Sequence, residues 1–260
     1  MKVKDIYSYL CTKAPLELQM DFDNSGFLVG DPEQDVSNIL IALDITSEVI
    51  AEAIDRNVQL IVSHHPVIWE PMKQVLSSDP QQNKIIKLIK NNIAAICMHT
   101  NLDIAEGGVN DQLMKLLGAK TTGILEYTSA ENGCGRIGEL ASPMELPEFL
   151  EYCKKTLKAN GLRFYNAGKK VQKIAVMGGS GGNELPLAWT NGCDTYITSD
   201  IKYDVFLLAQ EIGINLIDAD HFSTENPVTD VLYHWIKDFS EEIHVFTSDK
   251  QGPAAQFYSN

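Results

Sequence analysis

The stretch NILIALDITSEVIAEAIDRNVQLIVSHHP, residues 38–66, decides the fold class of this chain. Its first part, NILIALD, is a continuous apolar run typical of a buried strand. The segment TSEVIAEAIDRN has helical spacing, with Thr46 or Ser47 as N-cap, and VQLIVSH predicts a second strand. A strand, a helix and a strand in this order predict an α/β layer with mainly parallel pairing.

The same pattern continues along the chain. It predicts helices in NKIIKLIKNN, NELPLAWTNG and KYDVFLLAQEIG, and strands in IAAICMHT, VQKIAVMGG, CDTYITSD and INLIDADH. A last helix is predicted in PVTDVLYHWIKDFSEEI, with Asn226 as its N-cap, and a last strand in HVFTSD. The segment MDFDNSGFLVGDP has the composition of loops and turns.

The two halves of the chain resemble each other. AIDRNVQLIVSHH and AWTNGCDTYITSD align without a gap, which suggests an internal duplication. The segment 121–161 is marked by glycine and proline and changes character, as expected at the start of a new domain. We therefore predict two related α/β domains, residues 1–125 plus 220–260 and residues 126–219, with a metal site in the cleft between them.

Composition excludes several classes of protein. The 260 residues carry a net charge of −14, which repels polyphosphate backbones and makes nucleic acid a poor candidate partner. The five cysteines are scattered and form no C-x-x-C pair, which is typical of reduced, buried thiols. There is no secretory h-region and no apolar run of the roughly 18 residues that a membrane span needs. We expect a cytoplasmic protein with no membrane segment.

Three predicted strands end in side chains that can bind a metal. These segments are SHHP (63–66), HTNLD (99–103) and DADHFSTE (218–225). They supply the candidate ligands His64, His65, Asp103, His221 and Glu225. Pro66 favours an extended His65, and at a strand end both imidazoles can reach one cavity. His221 and Glu225 are four residues apart, a spacing that can bring both near one point.

Three imidazoles and two carboxylates are suited to zinc, iron, manganese, cobalt or nickel rather than to calcium or magnesium. Five ligands exceed what one structural zinc takes and are about right for two divalent ions. Water between two cations is acidified, so the pattern favours metal-dependent hydrolysis. Alone, His99, His234 or His244 would more often be an ordinary core histidine. His99 could also orient Asp103 from outside the metal shell, or only cap its strand.

The segment GGSGGN, residues 178–183, follows a strand and precedes a helix. Its backbone N–H groups could bind a phosphate. It lacks the Lys-Ser/Thr of a P-loop and the spacing of a dinucleotide fingerprint, which favours a tight turn.

Six motifs together resemble the NIF-three-like family of GTP cyclohydrolase I type 2 homologues. They are DNSGFLVG, SHHP, HTNLD, GGSGG, TSDIKY and DADHFSTE, and the resemblance extends over essentially the whole chain. It implies metal ligands at the five candidate positions, with Glu225 bridging two divalent ions, and a toroidal homohexamer. The chain departs from the family pattern at Phe22, where a tryptophan is common, and at Asp204, where a histidine is usual.

Three hypotheses about function follow. The first is a dinuclear metal-dependent hydrolase acting on a small molecule, for which the family name implies GTP. No catalytic residue beyond the ligands is assigned, and the acidic chain offers only isolated basic residues such as Lys202 for phosphate. The second is a non-enzymatic metal-binding, metal-delivery or interaction scaffold protein. The third makes the metals purely structural, against which the surplus of ligands argues.

Overall fold

The computed structural model describes residues 1–258 and contains helices and strands throughout. The α-helices are α1 Val3–Lys13, α2 Ser47–Asp55, α3 Pro80–Lys90, α4 Thr100–Ile104, α5 Val109–Leu116, α6 Leu146–Thr156, α7 Leu185–Thr190, α8 Tyr203–Ile212, α9 His221–Glu225 and α10 Val228–Phe239. The strands are β1 Gly26–Val29, β2 Asn38–Ala42, β3 Leu60–Ser63, β4 Ala94–Cys97, β5 Ala119–Tyr127, β6 Gly133–Met144, β7 Arg163–Tyr165, β8 Val171–Ser180, β9 Thr195–Ser199, β10 Asn215–Asp218 and β11 His244–Thr247. Short 3-10 helices span Leu16–Leu18 and Gly182–Glu184.

The chain divides into two compact units, each with one mixed sheet. Among the described residues, the first unit consists of residues 1–106 and 228–252, and the second of residues 107–227 and 253–258. The predicted domain boundaries stay a prediction, and one of them, after residue 125, falls inside strand β5. The predicted mixed α/β class is confirmed, while the internal duplication and the position of a metal site stay predictions.

In the first unit the strand order is β1-β4-β3-β2-β11. Strands β4, β3, β2 and β11 are parallel to their neighbours, and only β1 runs antiparallel, against β4. Strands β2, β3 and β4 are buried on both faces, as their continuous apolar runs predicted, whereas β11 at the edge is partly exposed. Leu40, Ile61 and Ala95 from three of them pack with Ile50 of α2 and Leu88 of α3 in one apolar core.

In the second unit the strand order is β5-β6-β8-β9-β10-β7. Strands β8, β9 and β10 are parallel, and β5, β6 and β7 are added in antiparallel orientation. The core under this sheet includes Phe149 of α6 with Ile174, Ile197 and Ile217 of the three parallel strands. Fully burying each such side chain contributes on the order of 1.5–3 kcal/mol to folding.

The predicted parallel strands and their helices are confirmed, and the antiparallel strands were missed. Strand β1 lies inside the segment assigned to loops and turns. This strand has only four residues, begins with Gly26 and is followed by Gly30, so its composition is typical of a turn. Asn226 is the C-cap residue of α9, and α10 begins at Val228, so the capping of the last helix by Asn226 stays a prediction. Thr46 is confirmed as the N-cap of α2, where its side chain accepts a hydrogen bond from the N–H of Val49.

Two expectations from composition are met within residues 1–258. The five cysteines are free, four of them are buried, and Cys11 is partly buried. Among the described residues there is no helix with both the length and the apolar character that crossing a membrane requires.

Candidate metal centre

Three parallel strands of the first unit deliver polar side chains at their carboxyl ends. Asp44 lies two residues beyond β2, His64 and His65 directly follow β3, and His99 lies two residues beyond β4. Because these strands are neighbours and parallel, their carboxyl ends meet at the same edge of the sheet. The fold therefore gathers residues from three distant parts of the sequence at one edge.

The backbone at the end of β3 is held in place on both sides. The N–H groups of His64 and His65 donate to the carbonyl oxygens of Ala42 and Leu43, and the Cys97 thiol donates to the carbonyl of His64. Both rings consequently lie close together, with 5.0 Å between their centroids. The predicted convergence of two adjacent imidazoles at a strand end is what the structure contains.

Each histidine at this edge has an oxygen acceptor at Nδ1. His64 Nδ1 lies 2.8 Å from the Met98 carbonyl oxygen, and His65 Nδ1 lies 2.8 Å from Oδ1 of Asp44. His99 Nδ1 lies 2.7 Å from Oδ1 of Asp23. Carbonyls and ionised carboxylates only accept, so Nδ1 carries the proton and Nε2 has the lone pair. This is the arrangement found around metal-binding histidines.

The three imidazoles are close enough to share a cation. The metal-binding nitrogens of His64, His65 and His99 all lie within 4.8 Å of one another. Asp103, buried in α4, contributes an Oδ1 atom 3.6 Å from Nε2 of His64. Nitrogen and oxygen donors in this combination fit a divalent transition metal.

Asp23 anchors His99 from the loop that follows α1. Its fully buried carboxylate accepts hydrogen bonds from the His99 ring, the Ser25 hydroxyl and both the N–H and the hydroxyl of Thr100. Burial by itself would raise the pKa of Asp23, but the hydrogen bonds from His99, Thr100 and Ser25 and the electrostatic interaction with the His99 ring outweigh burial and hold that pKa well below its usual range. The side chain of His99 thus pairs with Asp23, and the backbone carbonyl of His99 accepts a hydrogen bond from the N–H of Asp103.

The second unit places its own histidine and carboxylate together. His221 and Glu225 are the first and last residues of α9, so one helical turn puts them on the same face. His221 Nε2 lies 2.9 Å from Oε2 of Glu225, and its Nδ1 lies 2.7 Å from Oδ2 of Asp200. Asp200 directly follows β9, and α9 lies three residues beyond β10, the parallel neighbour of β9.

The backbone around His221 is strained. Asp200 and Asp220 both adopt left-handed conformations, with φ of 52° and 68°. Such conformations cost of order 1–3 kcal/mol in non-glycine residues and are concentrated at functional sites. They direct the Asp200 carboxylate and the His221 ring toward each other. Burial lowers the pKa of His221, but the hydrogen bonds and charges of Glu225 and Asp200 outweigh burial and raise that pKa to about 9.

The glycine segment begins in the last residues of β8, and three of its N–H groups are already used. The N–H of Gly178 donates to Asn110 Oδ1, that of Gly179 to Thr224 Oγ1, and that of Gly181 to Thr198 Oγ1. These three groups are therefore not presented to a phosphate. The predicted tight turn is confined to the step from Gly179 to Gly181, where the N–H of Gly181 also donates to the carbonyl of Gly179. Residues 178–180 belong to β8, and Gly182–Glu184 form a 3-10 helix.

The five predicted ligands fall into two groups, one in each unit. His64, His65 and Asp103 lie together in the first, and His221 lies next to Glu225 in the second. Asp204 is exposed in the first turn of α8.

Sequence reasoning did not assign the residues that orient the histidines. These are Asp23, Asp44 and Asp200. The signal was nevertheless present, because each lies in or next to a quoted motif or a predicted strand end.

The structure thus defines a mixed α/β protein with clustered histidines and carboxylates of the kind that hold divalent metals. The chain belongs to the family described as Duf34/NIF3 (NGG1p interacting factor 3), whose model matches residues 1–253. This match and the curated relatives confirm the resemblance inferred from the six motifs.

Individual relatives agree with this assignment. A protein of Clostridium acetobutylicum called GTP cyclohydrolase 1 type 2 homolog is 38% identical over 231 residues, which cover 87% of this chain and 86% of that protein. A crystal structure of a hypothetical protein from Staphylococcus aureus is similar with a TM-score of 0.91 and 29% identity, covering 99% of each chain. A Bacillus cereus protein related to NIF3 shares the fold, with a TM-score of 0.92, 24% identity and the same coverage.

Proposed function

We propose that this protein binds two divalent metal ions and is a metal-dependent hydrolase. Its ligands are His64, His65 and Asp103 of the first unit and His221 and Glu225 of the second, with Glu225 bridging the ions. Zinc, iron, manganese, cobalt and nickel are the candidate metals, because imidazole and carboxylate together suit them.

One observation carries this proposal. All three proposed histidine ligands have Nδ1 within 2.8 Å of an oxygen acceptor, and His99 beside them has the same arrangement. An ordinary surface histidine has no need of a fixed acceptor at Nδ1. A metal-binding histidine does, because the acceptor fixes the ring orientation and increases the basicity of Nε2.

The bound ions would supply Lewis-acid chemistry, polarising a substrate oxygen and lowering the pKa of water. The protein's own residues hold the reacting groups in place. Asp44, Asp23 and Asp200 fix three imidazole rings, and the burial of His64, Asp103 and Glu225 keeps bulk water away from those side chains.

The substrate class rests on the names of the curated relatives. They are called homologs of GTP cyclohydrolase 1 type 2, which supports hydrolytic opening of a purine ring or another small electrophile as the reaction. The net charge of −14 disfavours a polyphosphate substrate unless the metals themselves offset that charge.

The alternative is a non-enzymatic metal-binding, metal-delivery or interaction scaffold protein. The description of the matching family favours this alternative, because it names members by an interaction with another protein. The two functions differ in turnover, since a delivery protein exchanges its metal readily and catalyses nothing.

Elemental analysis of the untagged protein tests the proposal first. We expect about two transition-metal ions per chain in the wild type and a sharp fall in His65→Ala and in Glu225→Gln. His244→Ala is the control, because His244 is exposed on β11, away from the quoted clusters. A metal content of the wild type that stays near zero ions per chain after reconstitution with zinc, manganese and iron would refute the metal site.

Turnover then separates the two functions. Metal-loaded wild type is assayed with GTP and with a panel of phosphoesters, and Glu225→Gln serves as the inactive comparison. Hydrolysis that Glu225→Gln lacks supports the hydrolase. Full metal occupancy with no turnover across the panel supports the scaffold or delivery function.

A homohexamer is the assembly that the family resemblance implies. Tyr203, Leu207 and Leu208 lie on the outer side of α8 and are 77%, 44% and 39% exposed, an apolar patch that supports self-association. Light scattering after size exclusion measures the mass. We expect Leu207→Glu to reduce it, and a monomeric wild type would contradict the assembly.

A further inference from the structure

The irregular carboxyl end of β8, which contains Gly178 and Gly179, packs directly against Glu225. Gly179 has a left-handed φ of 68°, and its α-carbon faces the Glu225 carboxylate. We infer that Gly179 is a positioning residue for Glu225, because the missing side chain at 179 leaves the space that the carboxylate occupies. This inference rests on the proposed metal-binding function of Glu225.

The distances show how little room there is. A β-carbon at position 179 would lie 2.2 Å from Oε1 of Glu225, 3.1 Å from its Cδ and 3.4 Å from Cε1 of His221. The 2.2 Å separation from Oε1 is far shorter than any real non-bonded carbon–oxygen contact. Any residue other than glycine at 179 therefore displaces either the backbone at the end of β8 or the carboxylate.

The backbone at Gly179 is held firmly. The N–H of Gly179 donates to Thr224 Oγ1 at 3.1 Å, and its carbonyl accepts from the hydroxyls of Thr198 and Ser199. Moving the backbone would break these buried hydrogen bonds, which is costly. The carboxylate is the end of a flexible side chain, so it is the group that moves.

Glu225 is also confined from a second direction. A β-carbon at Gly178 would lie 3.5 Å from Cγ of Glu225 and 2.6 Å from Cγ1 of Val109. The Glu225 residue is only 3% exposed. Two adjacent glycines thus define the position of a buried carboxylate, and a displaced carboxylate would no longer be oriented for a metal.

The chain provides a matched control. Gly168, in the same unit, has a φ of 73°, and a β-carbon there meets nothing within 4 Å. Gly168→Ala and Gly179→Ala therefore impose the same kind of left-handed backbone strain. Only the second places an atom against Glu225, so the difference between them isolates the effect on the carboxylate.

Titration of the metal-free proteins with cobalt(II), followed by visible absorption, measures the affinity of each site. We expect Gly179→Ala to lower the affinity for the cobalt ion that depends on Glu225 about 10- to 100-fold, the range for residues that orient metal ligands. Gly168→Ala should bind like the wild type. A crystal structure of metal-free Gly179→Ala should have the Glu225 carboxylate moved from its wild-type position.

Ser199→Ala provides a second variant that adds no atom. It removes one of the hydroxyls that hold the Gly179 carbonyl, so we expect a few-fold loss of cobalt affinity with the protein folded. This variant tests the same positioning if Gly179→Ala does not fold.

The outcomes distinguish this inference from the proposed function. If Glu225→Gln loses cobalt and Gly179→Ala and Ser199→Ala bind like the wild type, the positioning role is wrong and the metal site stands. If Glu225→Gln itself binds cobalt normally, Glu225 is not a ligand, and both proposals fail. Equal losses in Gly179→Ala and Gly168→Ala would attribute the effect to backbone strain and overturn the inference.

Discussion

The Nδ1 atom of His99 lies 2.7 Å from Oδ1 of Asp23, a residue 76 positions earlier in the chain. This pair joins the loop after α1 to the end of β4. The buried Asp23 carboxylate gathers the His99, Ser25 and Thr100 donors, so it fixes the start of α4, where Asp103 lies.

Replacing Asp23 by asparagine should destabilise the protein at neutral pH by about 2–3 kcal/mol, because buried donors lose a charged acceptor. The pKa of Asp23 in the folded protein lies below its ordinary value of 3.8. Its stabilisation is therefore present above pH 3.8 and is lost as pH falls below that value toward the folded pKa. Urea unfolding of both proteins from pH 7 to pH 2.5 measures this. A difference that is the same at every pH would contradict the role of the charge.

Titration of His221 in the metal-free protein should give a pKa near 9, measured by NMR of the ring protons. Asp200→Asn should lower that pKa, because it removes one of the two carboxylates beside the ring. Asp204→Asn is the control, since Asp204 is exposed on α8. An unchanged pKa in Asp200→Asn would mean that the Asp200–His221 pair does not form in solution.

The sign of the corresponding stability effect is fixed by the direction of the shift. The folded pKa of His221 is raised above its ordinary value of 6.5. Its contribution to the free energy of unfolding is fully present below pH 6.5 and is lost as pH rises through about 9. Metal-free wild type should therefore lose stability relative to His221→Gln over that interval.

Asp44→Asn should lower the affinity for the metal ion bound by His65 about 10- to 100-fold, because a neutral acceptor at Nδ1 lowers the basicity of the imidazole. Competition with a chromophoric zinc chelator measures the affinity. Asp55→Asn, at the exposed end of α2, should bind zinc like the wild type. Equal affinities of Asp44→Asn and Asp55→Asn would exclude a role for the carboxylate.

Glu52→Ala should destabilise the first unit by about 2–4 kcal/mol. The buried Glu52 carboxylate accepts from the Ser248 hydroxyl and the Asp249 N–H, and it lies 2.9 Å from Nη2 of Arg56. Its removal leaves buried donors unsatisfied. Chemical unfolding measures the change, with exposed Glu48→Ala on the same helix as control. A loss of less than about 0.5 kcal/mol in the free energy of unfolding of Glu52→Ala would contradict the stabilising role of the buried carboxylate.

The sequence predicted the parallel part of each sheet because buried parallel strands consist of uninterrupted apolar runs. NILIALD and VQLIVSH became β2 and β3, and VQKIAVMGG, CDTYITSD and INLIDADH became β8, β9 and β10. It did not predict β1, β5, β6 and β7, which have glycine within or beside them, exposed residues, or only three residues. Their pairing depends on neighbours that local composition does not specify.

By itself the sequence determined the α/β class, the membership in the NIF3 family and the identity of the five candidate ligands, because apolar periodicity and short motifs are local properties. Only the tertiary structure decided which carboxylate orients which histidine. Asp44 and His65, like Asp200 and His221, are 21 positions apart, and Asp23 and His99 are 76 apart. The contact of Gly179 with Glu225 was decided in the same way. Asp44 meets His65, and Asp200 meets His221, because parallel strands bring their carboxyl ends to one edge of a sheet, whatever the length of chain between them. Asp23 reaches His99 because β1 runs antiparallel to β4, which places the start of β1 beside the end of β4.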